Sequence, residues 1–216
     1  MQGWEGKCIH IVLELADCGD VQGLLEMQLK RRLYFSERDL WSFAWQIIMG
    51  LLHLHTRGVI HRDIKCMNLL LTDNYKTVKL GDMSESRVLD HHNYIKTKQI
   101  IGTPLSLSPE VVKQEGYDQR SDIWAMGVAF YSMAVLEPPF YESTITELFN
   151  SIVYKTPKPI TQYSGKFSNF VTSMLHKKKE MRPLITDLVD YFKEIKVPTP
   201  MKMTELDRQN YNHFKE

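Results

Sequence analysis

The stretch His61-Arg62-Asp63-Ile64-Lys65-Cys66-Met67-Asn68 sets a carboxylate, an ammonium group and a carboxamide within one short segment, and a second carboxylate, Asp82, follows soon after. Groups of these types on one short loop could together accept a proton, neutralise developing negative charge and ligate a metal ion. Read without that chemistry, the same residues are polar loop positions, with Asp63 capping a turn.

The elements that would hold these groups can be read on either side. Ser36 stands three residues before Asp39, and apolar residues then recur at Leu40, Ala44, Ile47, Ile48, Leu51 and Leu54, followed by His55, the spacing of one helical face. Gly58 is expected to close this helix as a left-handed cap. Val59 and Ile60, Leu69 to Leu71 and Val78 to Leu80 are short apolar runs around a turn at Asp73-Asn74, so they read as brief strands. The loop bearing Asp63 therefore lies between two strands, directly after a capped helix.

Ile11, Val12, Leu13 and Leu15 also read as a buried strand, ended at Ala16 to Asp20 with Gly19 as the breaker. Residues 81 to 117 carry no sustained period and read as a long functional loop. Ser121 to Leu136 is apolar on nearly all sides, which predicts a helix at the centre of the domain, stopped by Pro138 and Pro139. Phe167 to His176 and Leu184 to Phe192 predict two further amphipathic helices. The expected fold is mainly α with a few short β-strands: one partial domain over residues 1–196, then a polar tail over 197–216.

Composition excludes several classes. With 43% hydrophobic residues among 216, the chain can bury a sizeable core. Lys and Arg number 27 against 26 for Asp and Glu, so a net charge of +1 gives no field to attract nucleic acid or an anionic membrane. The cluster Lys177-Lys178-Lys179 ends at Glu180 and reads as a solvated loop. Cys8, Cys18 and Cys66 are odd in number and form no C-x-x-C pair, which argues against a disulfide framework or a zinc site. A reducing cytoplasmic compartment fits, with nuclear or cytoskeletal association as alternatives. No signal peptide is evident, and the apolar region Ile123 to Leu136 is too short to span a bilayer.

The order of motifs resembles serine/threonine protein kinases, most closely the NIMA-related (Nek) group. His61 to Asn68 matches the family's H-R-D-x-x-x-x-N catalytic loop. Leu80-Gly81-Asp82-Met83-Ser84 stands where the family has D-F-G. Gly102-Thr103-Pro104 with Ser108-Pro109-Glu110 resembles the end of an activation segment. Asp122-Ile123-Trp124 resembles the start of the central helix, and Arg182-Pro183 the late arginine. Val78 to Asp82, Ser86 to Leu89 and Ile101 to Glu110 resemble the Nek group in particular, and the resemblance covers about residues 5 to 195.

The resemblance implies roles. Asp63 would orient the substrate hydroxyl and accept its proton, Lys65 would neutralise the transferring phosphoryl group, and Asn68 and Asp82 would hold magnesium. Leu13 would be the gatekeeper, the backbone of Glu14 and Ala16 would meet adenine, Asp20 would reach the ribose, and Leu70 would pack beneath the base. Thr103 would contact Asp63. Thr97 is a candidate phosphosite that could pair with Arg62. His61, Glu110, Asp122 and Arg182 would be structural, with Glu110 and Arg182 forming a buried salt bridge and Asp122 holding the catalytic-loop backbone. The implied ligands are ATP and Mg2+, and the implied partner is a protein bearing Ser or Thr.

The sequence departs from the family pattern in places. Met83 replaces Phe and would fill an apolar slot beside His61. Ser84 replaces Gly and would restrict backbone angles at a hinge. Cys66 replaces a proline, and Leu105-Ser106 replaces paired tyrosines. No G-x-G occurs anywhere in the chain, so the family's glycine-rich strand pair, strand lysine and small-lobe glutamate cannot be placed. The expectation is an N-truncated kinase, inactive alone, that self-associates through apolar surface around Leu13, Leu15 and Leu70. The alternative is a pseudokinase fragment that binds partners without catalysis.

Overall fold

The computed structural model describes residues 10–89 and 101–195; Thr97, Cys8 and the tail from residue 197 lie outside them. Helix α1 (Val21–Arg31) is followed by α2 (Glu37–His55), then strands β1 (Val59–Ile60), β2 (Leu69–Thr72), β3 (Thr77–Leu80) and β4 (Arg87–Val88). After these come α3 (Pro109–Val112), α4 (Gln119–Val135), α5 (Ile145–Tyr154), α6 (Gly165–Met174) and α7 (Ile185–Ile195).

Helix α4 forms the centre. Ile123, Trp124, Met126, Phe130, Met133 and Ala134 are almost completely buried, each of the larger ones contributing about 1.5–3 kcal/mol. At Gly127 a Cβ would lie 2.8 Å from the Cβ of Met174, so the missing side chain is what lets α4 and α6 pack so closely. Trp41 of α2 packs edge-on against Phe167 of α6 and Phe192 of α7, with ring centroids 5.1 and 5.3 Å apart. These contacts make α2, α4, α6 and α7 one rigid base beneath the loops.

Two antiparallel ribbons sit on that base, β1 paired with β4 and β2 with β3. The β2–β3 turn runs through Asp73, Asn74 and Tyr75, all with positive φ. Buried Gln46 of α2 fastens this hairpin: its Oε1 accepts from Val78 N (3.0 Å) and its Nε2 donates to Lys76 O (3.0 Å).

Where the sequence reading and the structure differ, the cause is local. Residues 11–15 form no strand and are exposed, Val12 to 95%, because no strand among the described residues pairs with them. The central and last two helices begin or end one to three residues from expectation. Gly58 does take positive φ (+67°), but α2 already ends at His55 and Thr56 is its C-cap. Helices α1 and α5 were not anticipated. Helix α1 buries little beyond Val21 and Leu25, so its apolar period is faint, and it depends on Asp20, whose carboxylate accepts from Gly23 N (2.9 Å). The long polar stretch from residue 81 contains β4 and α3, both too short to show a period.

Candidate active site

Asp122 at the start of α4 organises the loop that carries Asp63. Its Oδ2 accepts from His61 N (2.8 Å) and its Oδ1 from Arg62 N (2.9 Å), while the buried His55 ring stands 2.9 Å from Oδ2. These bonds hold Arg62 at φ +70°, a left-handed conformation unfavourable for a side chain with a Cβ. The strained turn directs Asp63 into the cleft.

Asp63 collects four side-chain and backbone donors. Lys65 Nζ lies 2.6 Å from its Oδ2 and Asn68 Nδ2 3.0 Å from the same oxygen; Asn68 Nδ2 also donates to Asp63 O at 2.8 Å. Thr103 donates to Oδ1 through Oγ1 (3.0 Å) and N (3.2 Å), and its Oγ1 also accepts from Lys65 Nζ at 3.0 Å. Gly102 makes this approach possible: at φ +107° a Cβ there would lie 3.0 Å from Arg62 O. Carboxylate, ammonium, hydroxyl and carboxamide thus meet at one point.

The β2–β3 hairpin brings up the second carboxylate. Leu69 pairs with Leu80, and at the open end Gly81 N donates to Asn68 O (2.8 Å) while His61 Nε2 bonds Gly81 O (3.0 Å). Asp82 follows immediately, at φ +56°, with its Oδ1 accepting from Ser84 N at 3.2 Å. The Ser84 side chain and backbone, helped by the charges of Lys65 and His61, hold the exposed Asp82 carboxyl below its ordinary pKa. Asp82 is therefore ionised at neutral pH. Because Asn68 spends its Nδ2 on Asp63, its Oδ1 faces the other way, and an amide oxygen with a carboxylate is a donor set suited to magnesium.

One expectation about the D-F-G-like loop is corrected. Asp82 is the residue of this loop at positive φ and Ser84 is not, so the Ser84 Cβ carries no left-handed strain in this conformation. Met83 does not fill an apolar slot beside His61. The turn at Asp82 carries it outward, 44% exposed, with Ser86 Oγ at 3.5 Å from its sulfur.

The remaining predicted residues fall into two groups. Glu110 and Arg182 form a buried bidentate pair, both N–O distances 2.7 Å, with Ser121 Oγ also donating to Glu110 at 3.0 Å. Arg182 further donates to His176 O (2.8 Å) and Arg120 O (2.9 Å). Leu13, Glu14 and Ala16 lie on the extended exposed segment, where Glu14 pairs with Lys79. That segment is tied to the hairpin by Cys18 N to Leu71 O (3.0 Å) and Leu71 N to Gly19 O (2.8 Å), which sets half-buried Leu70 beside Asp20. One oxygen of Asp20 already caps α1, so its expected reach to a ribose has a competing use. Arg62, the expected phosphate partner, donates Nε to Glu85 O at 2.5 Å.

Sequence reasoning passed over His55 and Tyr117. The His55 ring is buried against Asp122, and a histidine on an otherwise apolar helical face was the available signal. The Tyr117 hydroxyl donates to Ile101 O, and Arg62 lies 5.8 Å from its ring centroid.

The Protein kinase domain family matches residues 4–192, and the chain belongs to that family. Within it, the similarity runs to the Nek group. The chain is 35% identical over 187 residues to "Probable serine/threonine-protein kinase nek2" of Dictyostelium discoideum, covering 85% of this chain and 44% of that protein. It is 32% identical over 188 residues to "Serine/threonine-protein kinase Nek3" of Oryza sativa subsp. japonica, covering 87% of this chain and 31% of the relative. To "Serine/threonine-protein kinase Nek5" of Homo sapiens it is 32% identical over 186 residues, covering 86% and 26%. The chain spans less than half the length of each of these curated relatives. Among the described residues, no helix is long and apolar enough to cross a membrane.

Proposed function

We propose that residues up to 196 form the large lobe of a Nek-like serine/threonine protein kinase that transfers a phosphoryl group from ATP to a protein hydroxyl. The reading is carried by the network in which Lys65, Asn68 and Thr103 all bond Asp63, with Asp82 fastened alongside through Gly81. Asp63 orients the acceptor hydroxyl and takes its proton. Lys65 sits where it can neutralise charge on the group in transit, and Asn68 and Asp82 hold magnesium. ATP and Mg2+, when bound, supply the phosphoryl group and its counter-charge. Thr103, bonded to both Asp63 and Lys65, helps to seat a Ser or Thr side chain. Leu13, the backbone of Glu14 and Ala16, Asp20 and Leu70 line the adenosine side, and Thr97 is the proposed phosphosite.

The 216 residues contain no G-x-G, so on their own they offer a floor for the nucleotide and no glycine-rich cover. We place the protein in the reducing cytoplasm, where Cys18 and Cys66 remain free, without affinity for nucleic acid or membrane. The exposed Ile11, Val12, Leu13 and Leu15 favour self-association of this polypeptide. The same observations favour the second reading, a kinase-derived module that engages protein partners without catalysis.

A paired assay separates the two. The 216-residue polypeptide alone is expected to show no transfer from ATP to a Ser/Thr peptide above an Asp63→Ala control, and to grow in light-scattering mass with concentration. Fused behind a glycine-rich small lobe, the same residues should gain transfer and lose the concentration dependence. A fused protein that binds ATP and still transfers nothing would leave only the binding-module reading.

A further inference from the structure

We propose that Thr204, in the sequence beyond α7, is itself a phosphoacceptor: Met201 and Lys202 of one copy occupy an apolar groove beside Lys65 and Thr103 of another, and Thr204 receives the phosphoryl group there. The inference rests on the kinase reading above and adds a named acceptor to it.

The groove measures about 300 Å3 and lies between α1, the loop after Asp63 and the end of α4. Lys65 and Thr103, both bonded to Asp63, form part of its wall, so it adjoins the point where an acceptor hydroxyl meets the proposed base. Leu25, Leu29, Met67, Leu105, Val128 and Tyr141 make the rest of the wall largely apolar, and Leu29, Met67 and Tyr141 are exposed. A groove of this kind takes an apolar side chain lying a few residues from the hydroxyl.

Its free charges are acidic. Glu26 and Glu137 stand exposed on the wall, and neither forms a salt bridge among the described residues; Glu26 Oε1 accepts from Gln22 Nε2 at 3.2 Å. Lys65 is spent on Asp63 (2.6 Å) and Thr103 (3.0 Å). The matching acceptor therefore carries an apolar side chain and a cation close to a hydroxyl.

The run Met201-Lys202-Met203-Thr204 carries all three. Unbranched thioethers adapt to an irregular apolar wall, and Lys202 supplies a cation for Glu26 or Glu137. The neighbouring hydroxyls lack this setting: Thr199 stands between Pro198 and Pro200 with no methionine just before it, and Tyr211 stands between Asn210 and Asn212. Delivery between copies follows from where the run begins. Helix α7 packs through Phe192 on Trp41 and Trp45 of α2, and neither helix contributes to the groove wall. In the transfer, the bond from Thr204 Oγ to the γ-phosphorus of ATP forms as the bond from that phosphorus to the ADP oxygen breaks. The ADP oxygen keeps the electron pair, and the hydroxyl proton passes to Asp63.

The chain fused to a small lobe, incubated with ATP, Mg2+, a reference Ser/Thr peptide and an isotope-labelled full chain carrying Asp63→Ala, tests the proposal, with mass spectrometry locating phosphate on each species. Phosphate is expected on Thr204 of the labelled chain in preference to Thr199. Labelled chains that also carry Met201→Asp or Lys202→Glu should take it up about tenfold or more slowly. A fusion carrying Glu26→Lys and Glu137→Lys should recover transfer to the Lys202→Glu chain, a reversal that a general loss of structure could not give. Phosphate on the reference peptide and not on the labelled Thr204, phosphate on Thr204 of the fusion alone, or equal rates with and without Lys202→Glu would each overturn the proposal and leave the kinase reading standing. Phosphate on no species would remove both.

Discussion

Replacing Asp63 with Ala is expected to lower phosphoryl transfer by about 10²–10⁴-fold in the chain fused to a small lobe, the range for losing a positioned general base. The expectation rests on what meets at this carboxylate. Its two oxygens accept from Lys65, Asn68 and Thr103, so removal takes away the proton acceptor and also releases the groups that flank the hydroxyl. The comparison with Asp63→Asn separates these effects. Asn keeps an acceptor for Thr103 and loses the charge, so a fall as large as that of Ala assigns the effect to the charge. Steady-state kinetics on a Ser/Thr peptide reads it, with the loss in kcat and little change in KM; a fall under tenfold for both variants would remove Asp63 from the chemistry.

Glu110→Ala should destabilise the fold by about 3–5 kcal/mol, because it leaves the buried Arg182 guanidinium without its bidentate partner. Burial alone would raise the Glu110 pKa, but the Arg182 hydrogen bonds and charge outweigh it and hold the carboxyl below its ordinary 4.5. The sign follows from linkage. A depressed folded pKa gives stability that is fully present above the unfolded value, and that declines as pH falls from about 4.5 through the lowered folded pKa. The difference between wild type and Glu110→Ala in urea unfolding should therefore be constant near neutrality and shrink in acid. A difference below about 1 kcal/mol at neutral pH would show that the pair is dispensable.

Much of this architecture could be read from residue spacing, and the exceptions share a cause. Helix α4 was legible because it is apolar all round, as a central element must be, and α2 because its cap and stripe agree. The pairing of Glu110 with Arg182 and the gathering of Asp63, Lys65, Asn68 and Asp82 came from matching motifs, since sequence separation says nothing about which loops meet. Residues 11–15 misled because a branched apolar run signals a strand only when something pairs with it. Met83 misled for a related reason: volume suggested a slot, but the left-handed turn at Asp82 decides where the side chain goes. Gln46 and His55 carry polar bonds that fix the hairpin and the catalytic loop, and a lone polar residue on an apolar face announces burial without naming its partner.

The central claim is that Asn68 and Asp82 form one metal site beside Asp63. It is tested most directly by Mn2+ electron paramagnetic resonance in the presence of ATP, on the chain fused to a small lobe. Bound Mn2+ should appear in wild type and in Asp63→Ala, and fall by about tenfold or more in affinity in Asn68→Ala and Asp82→Ala. Unchanged Mn2+ binding in both of the last two would contradict the account.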